Sequence, residues 1–196
     1  MTRALFIIDV QNDFTEGGAL GVEGGAGVAA RISDFLGAHS GDYDEVFASR
    51  DWHDPDNDNG GHFATSEEPN FVTTWPIHCV AETPGAEYHP ALDIATVTHH
   101  ILKGQGVPAY SIFEGTSAEG GGLGKLLDEL GVIDIDIVGI ATDYCVRSST
   151  LDALAYGRHV RIFTDLVAGV NAESSEAALA ELGYAGAEIT ESTSLT

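Results

Sequence analysis

An α/β fold, with a mainly parallel sheet between two layers of helices, is the class this sequence predicts. Three observations carry that reading. Short apolar runs rich in branched residues recur along the chain, as in Ala4–Val10 and Ile133–Ile140. Segments with apolar residues at helical spacing stand between them, as in Gly27–His39 (Val28, Ile32, Phe35, Leu36). Strand and helix alternate from one end to the other, which requires crossovers and a sheet covered on both faces.

The elements follow in order. Ala4–Val10 reads as a buried strand and Gly27–His39 as a helix. Glu45–Ser49 and Thr96–Leu102 are further strands. Leu123–Leu130 is a helix closed by Gly131, the residue type that best tolerates the left-handed turn after a helix. Ile133–Ile140 is the fourth strand, and Cys145–Tyr156 a helix ended by Gly157. His159–Thr164, helix Ser174–Leu182 and a short strand Ala187–Ile189 complete the pattern. Two segments interrupt it: Asp51–Tyr88, rich in Asp, Asn, Gly, Pro and His, and the Gly-rich Gly104–Gly122. Loops of that length inside a compact domain are commonly functional. No repeat, linker or second domain is visible, so residues 1–196 read as one domain.

The chain has 196 residues, enough for a real core, and is 43% hydrophobic. Its net charge is −23, from 31 acidic against 8 basic residues. Such a surface repels phosphate backbones and anionic lipid, so neither nucleic acid nor membrane is expected as a partner. No apolar run approaches the length of a membrane span, and no secretory leader is apparent. The two cysteines, Cys79 and Cys145, make no disulfide framework, which makes a reduced, cytoplasmic protein the default.

The chemistry-bearing residues fall at one edge. Asp9 closes the first strand, Asp51 and His53 follow the second, Lys103 ends the third, and Cys145 follows the fourth. Open parallel sheets bind ligands at the carboxyl ends of their strands. A thiol at a helix start gains about 0.3–1 kcal/mol for its ionised form from the helix dipole. Lys103 would add a positive charge, and Asp9 would accept the thiol proton. In the long loop, Asp51 and His53 are two residues apart, so an extended backbone turns both the same way, and His62 and His78 lie further along. One carboxylate with imidazoles suits a first-row transition metal. Taken singly, each of these residues has a plain reading as a turn former, surface group or buried thiol; together they point to a site. Gly25-Ala26-Gly27-Val28-Ala29-Ala30 matches a dinucleotide-binding pattern, but starts too far beyond its strand to serve as one. Cys79 reads as a buried structural thiol. His39, His89 and His159 have no partner that the sequence names, and Glu173, Glu176 and Glu181 read as a solvated helix face.

The same residues resemble the nicotinamidase/pyrazinamidase group of the isochorismatase-like cysteine hydrolase family. The matching blocks are Ile7-Ile8-Asp9-Val10-Gln11-Asn12-Asp13-Phe14, Gly17-Gly18-Ala19-Leu20, Arg50-Asp51-Trp52-His53, Trp75-Pro76-Ile77-His78-Cys79-Val80, Thr83-Pro84-Gly85-Ala86, Lys103-Gly104, Phe113-Glu114-Gly115-Thr116 and Ala141-Thr142-Asp143-Tyr144-Cys145-Val146-Arg147. They span nearly the whole chain. The resemblance implies a single-domain, three-layer α/β/α fold of Rossmann-like topology. It implies hydrolysis of nicotinamide, and of pyrazinamide, to the acid and ammonia through a thioester, in recycling of an NAD precursor. Cys145 would be the nucleophile, Asp9 the acid/base and Lys103 their electrostatic partner. A cis peptide between Ile140 and Ala141 is expected, with the N–H groups of Ala141 and Cys145 as oxyanion hole. Asp51, His53, His62 and His78 would hold one divalent transition ion, Zn, Fe or Mn. Phe14, Trp75, Tyr110, Ala141 and Tyr144 would contact a small-molecule substrate. Ile112 stands where the family usually has a smaller residue, which bears on the pocket near Tyr110. The chain would act as a monomer or homo-oligomer. Alternatives are the same machinery acting on a carbamoyl or ureido amide, or a non-catalytic binding module of flavodoxin type.

Overall fold

Seven strands form one sheet in the order β4-β3-β2-β1-β5-β6-β7 in this computed structural model, which describes residues 2–117 and 120–195. The strands are β1 (Thr2–Ile8), β2 (Glu45–Asp51), β3 (His99–Lys103), β4 (Thr116–Ser117), β5 (Val132–Ile140), β6 (His159–Ala168) and β7 (Glu188–Thr190). All pairings are parallel except β3 with β4. β1 is central, between β2 and β5, and its residues from Ala4 to Ile8 are fully buried. A continuous apolar run, rather than an alternating one, is what a strand covered on both faces needs.

Alternate residues of β1 enter opposite cores. Leu5 and Ile7 pack with Val28, Ile32, Phe35 and Leu36 of α1 (Gly25–His39). Ala4, Phe6 and Ile8 pack on the other face, where α2 (Leu123–Leu130), α3 (Arg147–Ala155) and α4 (Ala172–Ala185) contribute Leu127, Ala153 and Leu182. The expected three layers are therefore present, with one helix on one face and three on the other. α2 and α4 end on Gly131 and Gly186 at φ 67° and 112°, conformations that glycine adopts without penalty.

Several local expectations change. The segment Gly104–Gly122 contains a two-residue antiparallel strand, β4, too short to leave a periodic signal. β6 runs past Thr164 to Ala168 because a register shift opposite Ile137 and Gly139 lets the strand continue beyond its polar interruption. The helix expected from Cys145 is preceded by a π-helical turn, Thr142–Val146, so Cys145 lies inside a helical stretch rather than at its first residue. His39 and His159 do have partners, in Asp42 and Asp134 at 3.0 and 3.2 Å, and His89 Nδ1 accepts from the Ala91 N–H. Glu181 is not simply solvated: it grips Arg147 through both oxygens, at 2.6 and 2.7 Å. Cys79 is buried and unpaired, as expected. The start of α1 is occupied by the Glu16 carboxylate, which accepts from the N–H groups of Gly24 and Ala26. That end of the helix is filled from within the chain, consistent with setting a dinucleotide aside. Among the described residues, no helix is long and apolar enough to cross a membrane.

The chain passes from β1 leftward through β2, β3 and β4, then returns to the other side of β1 as β5. The reversal opens a crevice beyond the carboxyl ends of β1 and β5, the place where such sheets hold ligands.

Candidate active site

Lys103 stands at the centre of the crevice. It is the last residue of β3, and its ammonium is fully buried. Burying a cation without partners is prohibitively costly. Here Nζ lies 2.9 Å from Asp9 Oδ2, donates to Asp51 Oδ1, and is 3.7 Å from Cys145 Sγ. Residues far apart in sequence, brought by four strands, thus meet around one nitrogen.

Asp9 follows β1 in a left-handed conformation (φ 46°), which Asp tolerates better than most residues. The turn is closed by the Gln11 N–H donating to the Asp9 carbonyl at 2.8 Å. Ser49 on β2 donates its hydroxyl to Asp9 Oδ1 at 2.7 Å. Burial raises the Asp9 carboxyl above the ordinary range, against the opposing charge of Lys103, and the nearby Asp51 raises it further. Burial also raises the Cys145 thiol well above its usual value; Lys103 opposes this, while Asp9 and Asp51 reinforce it. Lys103 itself is lowered by burial but raised more by the two carboxylates, so it stays charged. Burial and the two carboxylates thus oppose ionisation of the Cys145 thiol, Lys103 favours it, and the Asp9 carboxyl lies beside them.

The Ile140–Ala141 peptide is cis, as anticipated. In the π-helical turn the Ala141 carbonyl accepts from Tyr144 N–H at 3.1 Å and from Val146 N–H at 3.0 Å, passing over Cys145. A regular α-helix would have engaged the Cys145 N–H there.

The imidazoles of His53, His62 and His78 are buried, and one nitrogen from each lies within 4.8 Å of the others. His53 Nδ1 is 2.8 Å from the Gly104 carbonyl, and His78 Nδ1 is 2.7 Å from the Pro76 carbonyl. A carbonyl can only accept, so both Nδ1 atoms carry the proton and both Nε2 atoms present a lone pair. Asp51 Oδ2 lies 3.7 and 3.8 Å from those two Nε2 atoms. His53 Nε2 and His62 Nδ1 are buried without a hydrogen-bond partner among the described residues. Burial, and then the neighbouring imidazoles, push His62 down to about 3, so it stays neutral. Orphaned buried lone pairs beside a carboxylate fit a divalent cation. Asp51 is held well below the usual carboxylate range: burial opposes ionisation, but the Lys103 ammonium beside it overcomes that.

A cavity of about 390 Å³ opens onto these groups. Asp51, His62, His78 and Cys145 form its floor; Phe14, Trp75, Tyr110, Ala141 and Tyr144, the five residues named as candidate substrate contacts, form walls. Trp75 Nε1 donates to Tyr110 Oη at 2.9 Å, and the Trp75 ring meets Tyr144 edge-on at 5.1 Å. Asp9, Lys103 and His53 do not line the cavity; they stand behind its floor. Ile112 is buried in the core beneath α3 and takes no part in the wall, so its size does not reshape the pocket directly.

Sequence reading missed several contributors. Gln11 pairs with the backbone of Asp51 as a strand would, its Oε1 accepting from the Asp51 N–H and its Nε2 donating to the carbonyl, both at 2.8 Å. Asp13 Oδ2 accepts from the Cys79 N–H at 2.7 Å, tying the loop after His78 to the loop after β1. A polar residue between the apolar Val10 and Phe14 was the available signal for both. Ser49, Phe71 and Val170 carried none, because their role depends on neighbours distant in sequence.

This fold, with thiol, carboxylate and ammonium gathered at the carboxyl edge of its sheet, defines a class of α/β hydrolase. The chain belongs to the isochorismatase domain family, which matches residues 3–194. It is 47% identical over 188 residues to a nicotinamidase/pyrazinamidase of Mycobacterium tuberculosis, covering 95% of this chain and 97% of that one. Among solved structures, the pyrazinamidase of Pyrococcus horikoshii in complex with zinc superimposes with a TM-score of 0.82 at 36% identity, covering 97% of this chain and 99% of that one. PnC1 from L. infantum in complex with nicotinate gives 0.84 at 32% identity, covering 100% and 95%.

Proposed function

We propose that this protein is a nicotinamidase, hydrolysing nicotinamide to nicotinate and ammonia, and pyrazinamide to pyrazinoate. The observation that carries the reading is the position of Lys103 Nζ, 2.9 Å from Asp9 and 3.7 Å from Cys145, behind a cavity floored by imidazoles. Asp9 takes the thiol proton as Cys145 Sγ bonds to the carboxamide carbon. The carbonyl electrons move to oxygen, and the N–H groups of Ala141 and Cys145 receive the resulting anion; one such donor is typically worth about 3–4 kcal/mol of barrier. Asp9 returns the proton to nitrogen, and ammonia leaves as the thioester forms. Asp9 then deprotonates the water that attacks the thioester, and Cys145 departs to regain its proton. Lys103 keeps the Asp9 carboxylate and the sulfur in one electrostatic unit throughout.

Asp51, His53, His62 and His78 would hold a divalent transition ion, Zn, Fe or Mn. When bound, it supplies a Lewis-acidic anchor for the ring nitrogen. Phe14, Trp75, Tyr110 and Tyr144 enclose the ring, and Ala141 borders the carboxamide. The chain works as one hydrolase domain in recycling an NAD precursor, in the reducing cytoplasm that its two unpaired cysteines suit. It needs no nucleic acid or membrane, and its acidic surface disfavours both.

The test is ammonia release from nicotinamide by wild type and Cys145→Ala. The variant should lose at least about a thousandfold in kcat. Turnover equal to wild type would remove Cys145 from the reaction.

A further inference from the structure

The cavity changes character from floor to mouth. Its floor groups, Asp51, His62, His78 and Cys145, are all buried. At the mouth, Phe71 and Val170 are 53% and 54% exposed, and Leu20 is half-buried. Nothing in the proposed reaction uses these three side chains.

Their backbone is nonetheless fixed in place. Asn70 Oδ1 accepts from the N–H groups of Val72, Thr73 and Thr74 at 2.8–3.1 Å. Tyr144 Oη donates to the Phe71 carbonyl at 3.4 Å. Phe71 is held at φ 56°, a conformation costly for a bulky aromatic and kept only where surroundings enforce it. The Val170 N–H donates to Asp143 Oδ1 at 3.0 Å, and the Leu20 N–H to the Asp13 carbonyl at 2.9 Å. Three independent loops thus present apolar groups to water around one opening, against the hydrophobic effect.

The substrate's own geometry says what could reach them. In a pyridine-3-carboxamide, carbon 5 is meta to both the ring nitrogen and the carboxamide, so it points away from both. With the nitrogen toward the imidazoles and the carboxamide toward Cys145, both on the floor, carbon 5 faces the mouth. We infer that Leu20, Phe71 and Val170 form a second, apolar subsite that takes an alkyl or aryl substituent on carbon 5 of the substrate. The inference rests on the proposed nicotinamidase activity and extends its substrate class. A carboxylate at carbon 5 would lose water there without gaining a partner.

The experiment compares nicotinamide, 5-propylnicotinamide and 5-carboxynicotinamide as substrates of wild type, Phe71→Ala and Val170→Asp. Each methylene leaving water is worth up to about fourfold in kcat/KM. The propyl amide should exceed nicotinamide by about tenfold in wild type, with the rim half open, and the carboxy amide should fall below it. In both variants the propyl-to-parent ratio should drop toward one. A second readout needs no turnover: tryptophan fluorescence quenching in Cys145→Ala gives the same ratio as Kd values. If nicotinamide is hydrolysed but the propyl amide neither binds nor reacts better, the subsite is overturned and the proposed activity stands. A propyl advantage that survives both substitutions likewise removes the assignment to these residues. Failure on nicotinamide itself is read on the parent substrate alone, and defeats the activity and the subsite together.

Discussion

Lys103 and Asp51 form a buried ion pair that joins two centres. One oxygen of Asp51 accepts from the Lys103 ammonium, while the other faces His53 and His78 at 3.7 and 3.8 Å. The same ammonium reaches Asp9 at 2.9 Å and Cys145 at 3.7 Å. The imidazole cluster and the thiol are therefore neighbours in one charge network, with a single cation between two carboxylates.

Removing that cation should cost stability as well as activity. Lys103→Met leaves Asp9 and Asp51 buried without their counter-charge, and breaking a buried pair from one side typically costs about 3–5 kcal/mol. In a chain of this size that lowers Tm by roughly 6–20 °C. Calorimetry beside an ammonia assay checks both losses; a variant as stable as wild type would contradict the network.

In the proposed reaction Asp9 must be ionised to accept the thiol proton, so the acid limb of kcat/KM should report it. Because burial raises this carboxyl, the limb should lie above the pH of an ordinary aspartate. Ser49 donates to the ionised form and so lowers the Asp9 pKa. Ser49→Ala should move the limb upward by about one pH unit or less. A limb that moves down, or stays, would mean that another group governs it.

Asp51 has the opposite sign. Its folded pKa lies below the unfolded one, so its contribution to stability is present above the ordinary carboxylate range and lost as pH falls through the folded value. The stability advantage of wild type over Asp51→Asn should shrink as pH drops below about 4. Denaturant unfolding at a series of pH values measures it.

Gly104→Ala tests the proposed metal centre while leaving Asp51, His53, His62 and His78 themselves unchanged. Gly104 sits at φ 82°, and a Cβ there would come 2.5 Å from His53 Cε1. Gly104→Ala should displace the imidazole and weaken metal affinity by about 10–100-fold, as loss of supporting contacts typically does. Metal content after dialysis, and the Tm lost on adding a chelator, give the answer. At a metal concentration of 100 Kd, binding adds about 2.7 kcal/mol of stability, so wild type should show a clear Tm drop and the variant a smaller one.

Much of the fold was legible because its signals are local. The alternation of apolar runs with 3.6-residue periodicity depends on each segment alone, and β1, α1, α2 and β5 appear within two residues of their expected ends. Boundaries failed where tertiary pairing overrides propensity. β4 exists only because β3 is beside it, and β6 continues to Ala168 only because β5 offers a shifted register.

Residue identities and spacing alone determined which groups could do chemistry here: one thiol after a strand, one lysine ending another, an aspartate closing a third and histidines in a long polar loop. The surroundings that set how readily Cys145 ionises were decided by the fold. A helix start argues for thiolate when seen locally, but the folded chain buries the sulfur and sets two carboxylates near it. Gln11 holding Asp51, Lys103 shared between two acids, and an apolar rim of Leu20, Phe71 and Val170 likewise arise only on folding. Charge and solvent exclusion are sums over neighbours in space, and a linear chain does not list those neighbours.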